Sequence, residues 1–311
     1  MSAHVLITGG SGFVGKALVK AMTEEGYLVT VLSRDMKSTA KIFSTKVQII
    51  DKLSNDEDDK HPPYDIIINL AGETISQYWT ESLKQKIIDS RKESYRLIVN
   101  YIAKAKIKPS LMIAASGIGY YGVSLEEKFT EKSEPSKENE NLFIVSLCKE
   151  IEKAARNAEE FKVRTCFLRT GVVLEKDGGI LAKLLTPYKL GAGGKLGSGD
   201  QWLSWIHRDD LIGAIFHIIS HKHIHGPVNI TSPNPVTNEE FTEILAKVLK
   251  RPAFINLPKF YVNLIFGQMG KELLLNGQNV VPKILIDGNF NYKYPTLQDA
   301  LKAIFNGTDT V

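Results

Sequence analysis

Short apolar runs alternate with stretches of helical periodicity through the first half of the chain. This is the pattern of a parallel sheet covered by helices on both faces. Val5-Leu6-Ile7 reads as a buried strand, and Val14, Ala17, Leu18, Ala21 and Met22 then form one apolar helical stripe. Gly26 closes that helix, and residues 28–32 and 47–50 are the second and third strands. The polar run 55–60, closed by Pro62-Pro63, reads as a solvated loop before a fourth strand at 65–70. A long helix fills roughly 80–105. Pro109 introduces a fifth strand at 111–115, and a helix near 141–159 with a strand at 163–168 completes a six-strand pattern.

After Leu174 the character changes. Glycines cluster at 178, 179, 191, 193, 194, 197 and 199, and Pro-containing loops separate the helices. Asp209 and Asp210 open a helix over 211–219, with one or other as its cap, and 228–230 is a candidate seventh strand. From Thr237 the chain is mainly helical. The expected class is α/β, a Rossmann-type doubly wound parallel sheet with a second, smaller, mainly helical C-terminal domain. Residues 1–177, completed by about 203–232, form the dinucleotide-binding domain; 178–202 and 233–311 form the smaller, substrate-side one.

Composition narrows the partners. The 311 residues are 43% apolar and 24% charged with net charge +4, and the basic residues are scattered, which gives no case for nucleic acid. Cys148 and Cys166 lack metal-type spacing and read as buried thiols of a reducing compartment. The first strand starts near residue 4 and no apolar run reaches spanning length, so a cytoplasmic protein without a membrane partner is expected. His217, His221, His223 and His225 cluster, but no Cys or acid completes a ligand set there, and no metal is predicted.

The candidate chemistry begins at Thr8-Gly9-Gly10-Ser11-Gly12-Phe13-Val14-Gly15. Glycines at 9, 12 and 15 follow a strand and open an amphipathic helix, the context in which such a loop binds a dinucleotide pyrophosphate. After strand two comes Ser33-Arg34-Asp35. Arg34 offers a donor fork for a 2′-phosphate and Ser33 a hydroxyl, which favours NADP(H). The competing reading makes Asp35 the ribose acid of an NAD site; Asp35 can equally cap the next helix.

With these residues in hand, the chain resembles the extended short-chain dehydrogenase/reductase superfamily, and more closely its atypical NAD-dependent epimerase/dehydratase-like branch. The resemblance runs nearly end to end. It is carried by Thr8–Gly15, Leu32-Ser33-Arg34, Asn69-Leu70-Ala71-Gly72-Glu73, Ser90-Arg91, the stretch from Ala115 to Gly122, Arg169-Thr170-Gly171-Val172-Val173-Leu174 and the block 197–211. Residues 250–305 look like the small C-terminal domain of that branch. The resemblance implies that Leu70, Ala71 and Gly72 pass along the adenine and ribose side of the cofactor. It places Arg91 beneath the cofactor, and Gly171, Val173 and Leu174 against the carboxamide. Leu70 and Val173 also read simply as core. A dimer through the two long helices is a family-level expectation.

The catalytic pattern departs from that superfamily, which carries a Tyr and, four residues later, a Lys on one helix face. Here Phe143 and Leu147 are the aligned residues, and neither moves a proton. The serine element survives as Ser116, with Gly117 the other aligned position. Tyr120 and Tyr121, just past strand five, are the remaining proton-donor candidates with Ser116; their alternative role is ring packing. Gln201, Trp202 and Trp205 combine flat apolar faces with donors and are expected to meet a polar ring of the substrate. His207 reads either as an acid/base or as a structural ring. The expected function is an NADP(H)-dependent oxidoreductase or epimerase-like enzyme acting on a small polar carbonyl or nucleotide-sugar-like substrate. The alternative is an NADPH-binding, redox-responsive protein with little or no catalysis.

Overall fold

The computed structural model describes residues 2–43, 45–55 and 62–306; most of the polar run 55–60 lies outside these. Seven parallel strands form one sheet: β1 (His4–Thr8), β2 (Leu28–Leu32), β3 (Val47–Ile50), β4 (Ile66–Asn69), β5 (Leu111–Gly117), β6 (Arg164–Thr170) and β7 (Gly226–Ile230). Their order is β7-β6-β5-β4-β1-β2-β3. The order reverses between β1 and β4, and a doubly wound sheet opens its ligand crevice at the strand ends of such a switch point. β1 is buried along its whole length, which is why it reads as an unbroken apolar run rather than an alternating one.

Helices cover both faces. On one side α1 (Phe13–Glu24) lays Leu18, Val19 and Met22 against the sheet beside Ile212, Ile215 and Ile218 of a later helix, Arg208–Ser220. On the other side the long helix Glu81–Lys104 contributes Ile87, Tyr95, Ile98 and Ile102 to a second core with Phe143–Arg156. A third core, containing Leu181, Trp205, Phe241, Leu245 and Leu301, belongs to the C-terminal helices. There Asn238–Leu249 starts with a reciprocal capping box between Thr237 and Glu240. In chain order these helices are α2 (Met36–Ala40), α3 (Glu81–Lys104), α4 (Phe143–Arg156), α5 (Gly179–Lys189), α6 (Arg208–Ser220), α7 (Asn238–Leu249), α8 (Lys259–Met269), α9 (Lys283–Asp287) and α10 (Leu297–Asn306).

Candidate cofactor and substrate site

The exits of β1, β2 and β4 meet at the switch point because the strands run in register, Thr8 opposite both Leu32 and Asn69. Gly9 turns the chain out of β1 with φ +69°, where a side chain is strained. A Cβ there would also meet the carbonyl carbon of Leu70 at 2.7 Å and the Ala71 nitrogen at 2.8 Å, so the loop and the β4 exit touch backbone to backbone. A Cβ on Gly15 would run into the Gly9 carbonyl, which lets α1 settle onto the turn. Thr8 Oγ1 donates to Asn69 Oδ1, which also accepts from the Ala71 N–H at 3.1 Å and from Ser94 Oγ at 3.0 Å.

Gly12 stands at the N-cap of α1 with extended backbone, no side-chain cap and no acid in the first turn. The first N–H groups and the positive end of the helix dipole are left for an anion. Phe13 lies against Gly178 and Gly179, and the Arg208 guanidinium sits 5.3 Å from its ring centre. Arg208 is itself held by Glu175 at 3.2 Å and Asp177 at 2.6 Å. The loop is thereby clasped by the segment entering the smaller domain.

At the end of β2 the competing roles of Arg34 and Asp35 separate. Asp35 caps α2, its Oδ1 accepting from the Ser38 N–H at 3.0 Å, and this bond lowers its pKa. Arg34 is exposed, and no described hydrogen bond or ion pair engages its guanidinium. Ser33 Oγ bonds Thr39 Oγ1 at 2.7 Å. Next to this corner a cavity of about 610 Å³ opens between Leu32, Asp51 and Leu53 and the α3 residues Asn100 and Tyr101, a feature no sequence motif announced. Beyond β4, a Cβ on Gly72 would meet Arg91 Cζ at 2.8 Å. Arg91 therefore lies directly under this glycine, with Nη1 on the Ile87 carbonyl at 3.1 Å and its pKa lowered by burial.

The structure places the remaining candidates on a buried ionic network. Ser116 Oγ donates to Glu152 Oε1 at 3.0 Å. Glu152 in turn receives two bonds of 2.9 Å from Arg169, and these two residues are only 5% and 3% exposed. The Arg169 guanidinium lies 3.4 Å from the Tyr120 ring centre and 5.0 Å from that of Tyr121, and its pairing with Glu152 raises its pKa against the cost of burial. Tyr120 OH donates to Glu134 at 2.7 Å. Tyr121 is fully buried, stacked on Phe129 with its OH on Asn229 Oδ1 at 2.6 Å. Burial pushes both phenols up to about 12. Both hydroxyls are committed inside the protein. Lys149 and Glu150, further along α4, pair at the surface with Glu140 and Lys92.

The α4 face that meets the β5 exit is made by residues next to Phe143 and Leu147. Ile144 lies against Gly119, Cys148 Sγ approaches the Gly117 carbonyl at 3.6 Å and Glu152 binds Ser116, an i, i+4, i+8 series. Phe143 and Leu147 belong instead to the core under α3, where Phe143 meets Trp79 edge-on. Ile144 and Cys148 thus face the β5 exit, and burial pushes the Cys148 thiol up to about 12. The N-terminus of α4 has no local cap; Glu272, from the C-terminal region, accepts from the Phe143 and Ile144 N–H groups at 3.4 and 3.1 Å.

In the 197–211 block, Trp205 is fully buried with its N–H on the Asn234 carbonyl at 3.0 Å, so its ring has no face to offer a ligand. Gln201 is buried and gives its amide to the Leu196 and Leu274 carbonyls at 3.0 and 2.9 Å. Trp202 is half-buried, with its N–H on the Leu125 carbonyl at 2.8 Å. The expected aspartate cap of α6 is replaced by His207, whose Nδ1 accepts from the Asp209 N–H at 3.0 Å. That bond fixes Nδ1 as an acceptor, and burial pushes the ring down to about 4. Asp210 instead anchors the C-terminal segment, accepting from the Lys293 and Tyr294 N–H groups at 2.7 and 2.9 Å. A Cβ on Gly171 would meet the Ser204 carbonyl oxygen at 2.5 Å, Val173 is half-buried, and Leu174 is fully buried core.

A family model described as the NAD dependent epimerase/dehydratase family matches residues 5–231. The chain belongs to that family. A second model, a domain of unknown function (DUF1731), matches residues 257–304, the helical C-terminal part. The epimerase family protein YfhF of Bacillus subtilis is 37% identical over 308 residues, 99% of this chain and 100% of that protein. Among solved structures, the human epimerase family protein SDR39U1 (isoform 2) with NADPH superposes with a TM-score of 0.85 at 34% identity, covering 97% of this chain and 98% of that one. A nucleoside-diphosphate sugar epimerase from Corynebacterium glutamicum gives 0.76 at 29% identity, covering 97% of this chain and 58% of that one.

Proposed function

We propose that the crevice at the β1, β2 and β4 exits binds NADP(H) and that the protein is an oxidoreductase or epimerase-like enzyme acting on a small polar carbonyl or nucleotide-sugar-like substrate. The observation that carries the cofactor is the division of labour after β2: Asp35 is spent on a helix cap while Arg34 stands exposed just past the strand with no described partner, and the N-terminus of α1 is uncapped. The residues fit the group. The uncapped N-terminus of α1 at Gly12 would take the pyrophosphate, Arg34 and Ser33 the 2′-phosphate of the adenosine ribose, and the cavity between Leu53 and Tyr101 the adenosine end. The human relative solved with NADPH supports the same choice. When bound, the nicotinamide supplies or accepts a hydride.

The protein's own part centres on Ser116. Its hydroxyl is held by Glu152; turned to a substrate carbonyl oxygen it would donate the proton that accompanies the hydride, and solvent would return a proton to Ser116 Oγ while Glu152 keeps its charge beside Arg169. Consumption of NADPH across a panel of carbonyl compounds and nucleotide sugars tests this. Turnover is expected in the parent protein and lost in Ser116→Ala with cofactor affinity kept, whereas Tyr120→Phe loses only its bond to Glu134. Unchanged turnover in Ser116→Ala removes Ser116 from the chemistry. A second reading, an NADPH-binding, redox-responsive protein without turnover, is favoured by the apolar Ile144 and the buried Cys148 on the α4 face. It predicts tight NADPH binding and no consumption on any member of the panel.

A further inference from the structure

Helix α8 is apolar on both sides. Before the break at Gly267 (φ +56°), Val262 is buried and Phe266 packs on the core beneath α3 and α4, while Phe260, Tyr261, Leu264 and Ile265 recur on the opposite, outward face. The outward residues are not marginally exposed: Phe260 is 70% and Leu264 67% accessible, and Phe254, in the loop before the helix, is 76%. At such exposures the side chains stand out from the surface instead of lining a groove. Ile255 joins them, and Pro252 lies against Gly191, which brings the exposed Leu190 to the same region. Large apolar side chains this exposed and this clustered along one segment mark an interaction surface.

The charges within the segment itself have one sign, although Lys247 pairs with Glu243 just before it. From Ile244 to Lys271 the sequence holds five cations, Lys247, Lys250, Arg251, Lys259 and Lys271, and no acid. Lys250, Arg251 and Lys259 are exposed, and no described ion pair engages them. Protruding aromatic and aliphatic side chains framed by unpaired cations match an anionic lipid surface, where phosphates meet the cations and rings enter the acyl boundary. A second copy of the chain fits less well, since a two-fold contact would bring these cations against their own twins. No described helix is long and apolar enough to cross a membrane, so the contact is peripheral. It also neighbours the loop after β4: a Cβ on Gly267 would meet the Tyr78 ring at 2.7 Å, six residues past Gly72.

We infer that α8 and the preceding 250–258 segment dock this protein onto a bilayer bearing anionic headgroups, beside the mouth of its crevice. The test is flotation of the full chain with vesicles of phosphatidylcholine alone or mixed equally with phosphatidylglycerol. Binding is expected only to the mixed vesicles, with loss at about 1 M salt, where the screening length falls to about 3 Å. Lys250→Ala/Arg251→Ala is expected to lower the partition coefficient about thirtyfold, from about 1 kcal/mol per cation near the surface. Phe260→Ser/Leu264→Ser, with its circular dichroism unchanged, is expected to abolish binding. Absence of binding to the mixed vesicles overturns the inference, as does binding indifferent to both double substitutions. A concentration-dependent dimer in ultracentrifugation that Phe260→Ser/Leu264→Ser dissolves would assign the patch to a second copy instead.

Discussion

Glu152→Gln is the substitution with the largest expected effect on folding. The carboxylate holds Arg169 through two bonds of 2.9 Å, with both partners almost wholly out of water and the Tyr120 ring closing one face of the guanidinium. Removing its charge strands a buried cation, a loss of about 3–5 kcal/mol. Against a total stability of about 5–15 kcal/mol this is a large fraction. With a urea m-value of about 2–3 kcal/mol/M, the unfolding midpoint should fall by about 1–2 M. The double variant Glu152→Leu/Arg169→Met removes both charges and should recover most of the loss, because two apolar groups need no partner. Urea denaturation followed by fluorescence and circular dichroism measures all the terms of the cycle. A single substitution costing under about 1 kcal/mol, or a double variant equal to the sum of the two singles, would refute the reasoning.

Other consequences are smaller but specific. Gly15→Ala puts a methyl group within 2.8 Å of two Gly10 backbone atoms and against the Gly9 carbonyl. It should cost about 1–3 kcal/mol in thermal unfolding and weaken NADPH binding in the same protein. Arg34→Ala should weaken NADPH binding by about tenfold to hundredfold, from about 1.5–3 kcal/mol for a charged hydrogen bond, and leave NADH unchanged in calorimetry; equal losses for both would release Arg34 from the 2′-phosphate. His207, held neutral to about pH 4, binds its proton at about 6.5 once unfolded, so the unfolded state carries the extra proton between these values. Stability should therefore fall as pH drops through that window, by up to about 1.4 kcal/mol per unit, and His207→Gln should flatten that slope.

The sheet and the cofactor loop were legible because their physics is local. Strands buried on both faces leave unbroken apolar runs, and the turn out of β1 needs glycine at positions 9 and 15 where backbone meets backbone. Long-range pairing left no comparable signal. Glu152 and Arg169 lie on different elements; nothing in the sequence singled out Glu152, and Arg169 stood only as part of an Arg-Thr-Gly motif, although the two form a buried ion pair. Which α4 residues face the β5 exit was not legible because the buried arc of α4 is wide: Phe143 and Leu147, and Ile144 and Cys148, are both i, i+4 apolar pairs. Only contact with Gly117 and Gly119 tells them apart. Tyr121, Gln201 and Trp205 carry the donors a substrate site needs, yet those donors are satisfied by Asn229 and by backbone carbonyls far along the chain. The cap of α6 was misplaced for a similar reason, since Asp210 was claimed by Lys293 and Tyr294 more than eighty residues away.

The central claim is that the chain carries an NADP(H) site read by Arg34, with Asp35 excluded from the ribose by its role as a helix cap. Isothermal titration of the full chain with NADPH and, separately, NADH tests it most directly. NADPH should bind at least tenfold more tightly, the worth of about 1.4 kcal/mol from the phosphate contact. Equal affinities, or tighter binding of NADH, would contradict it.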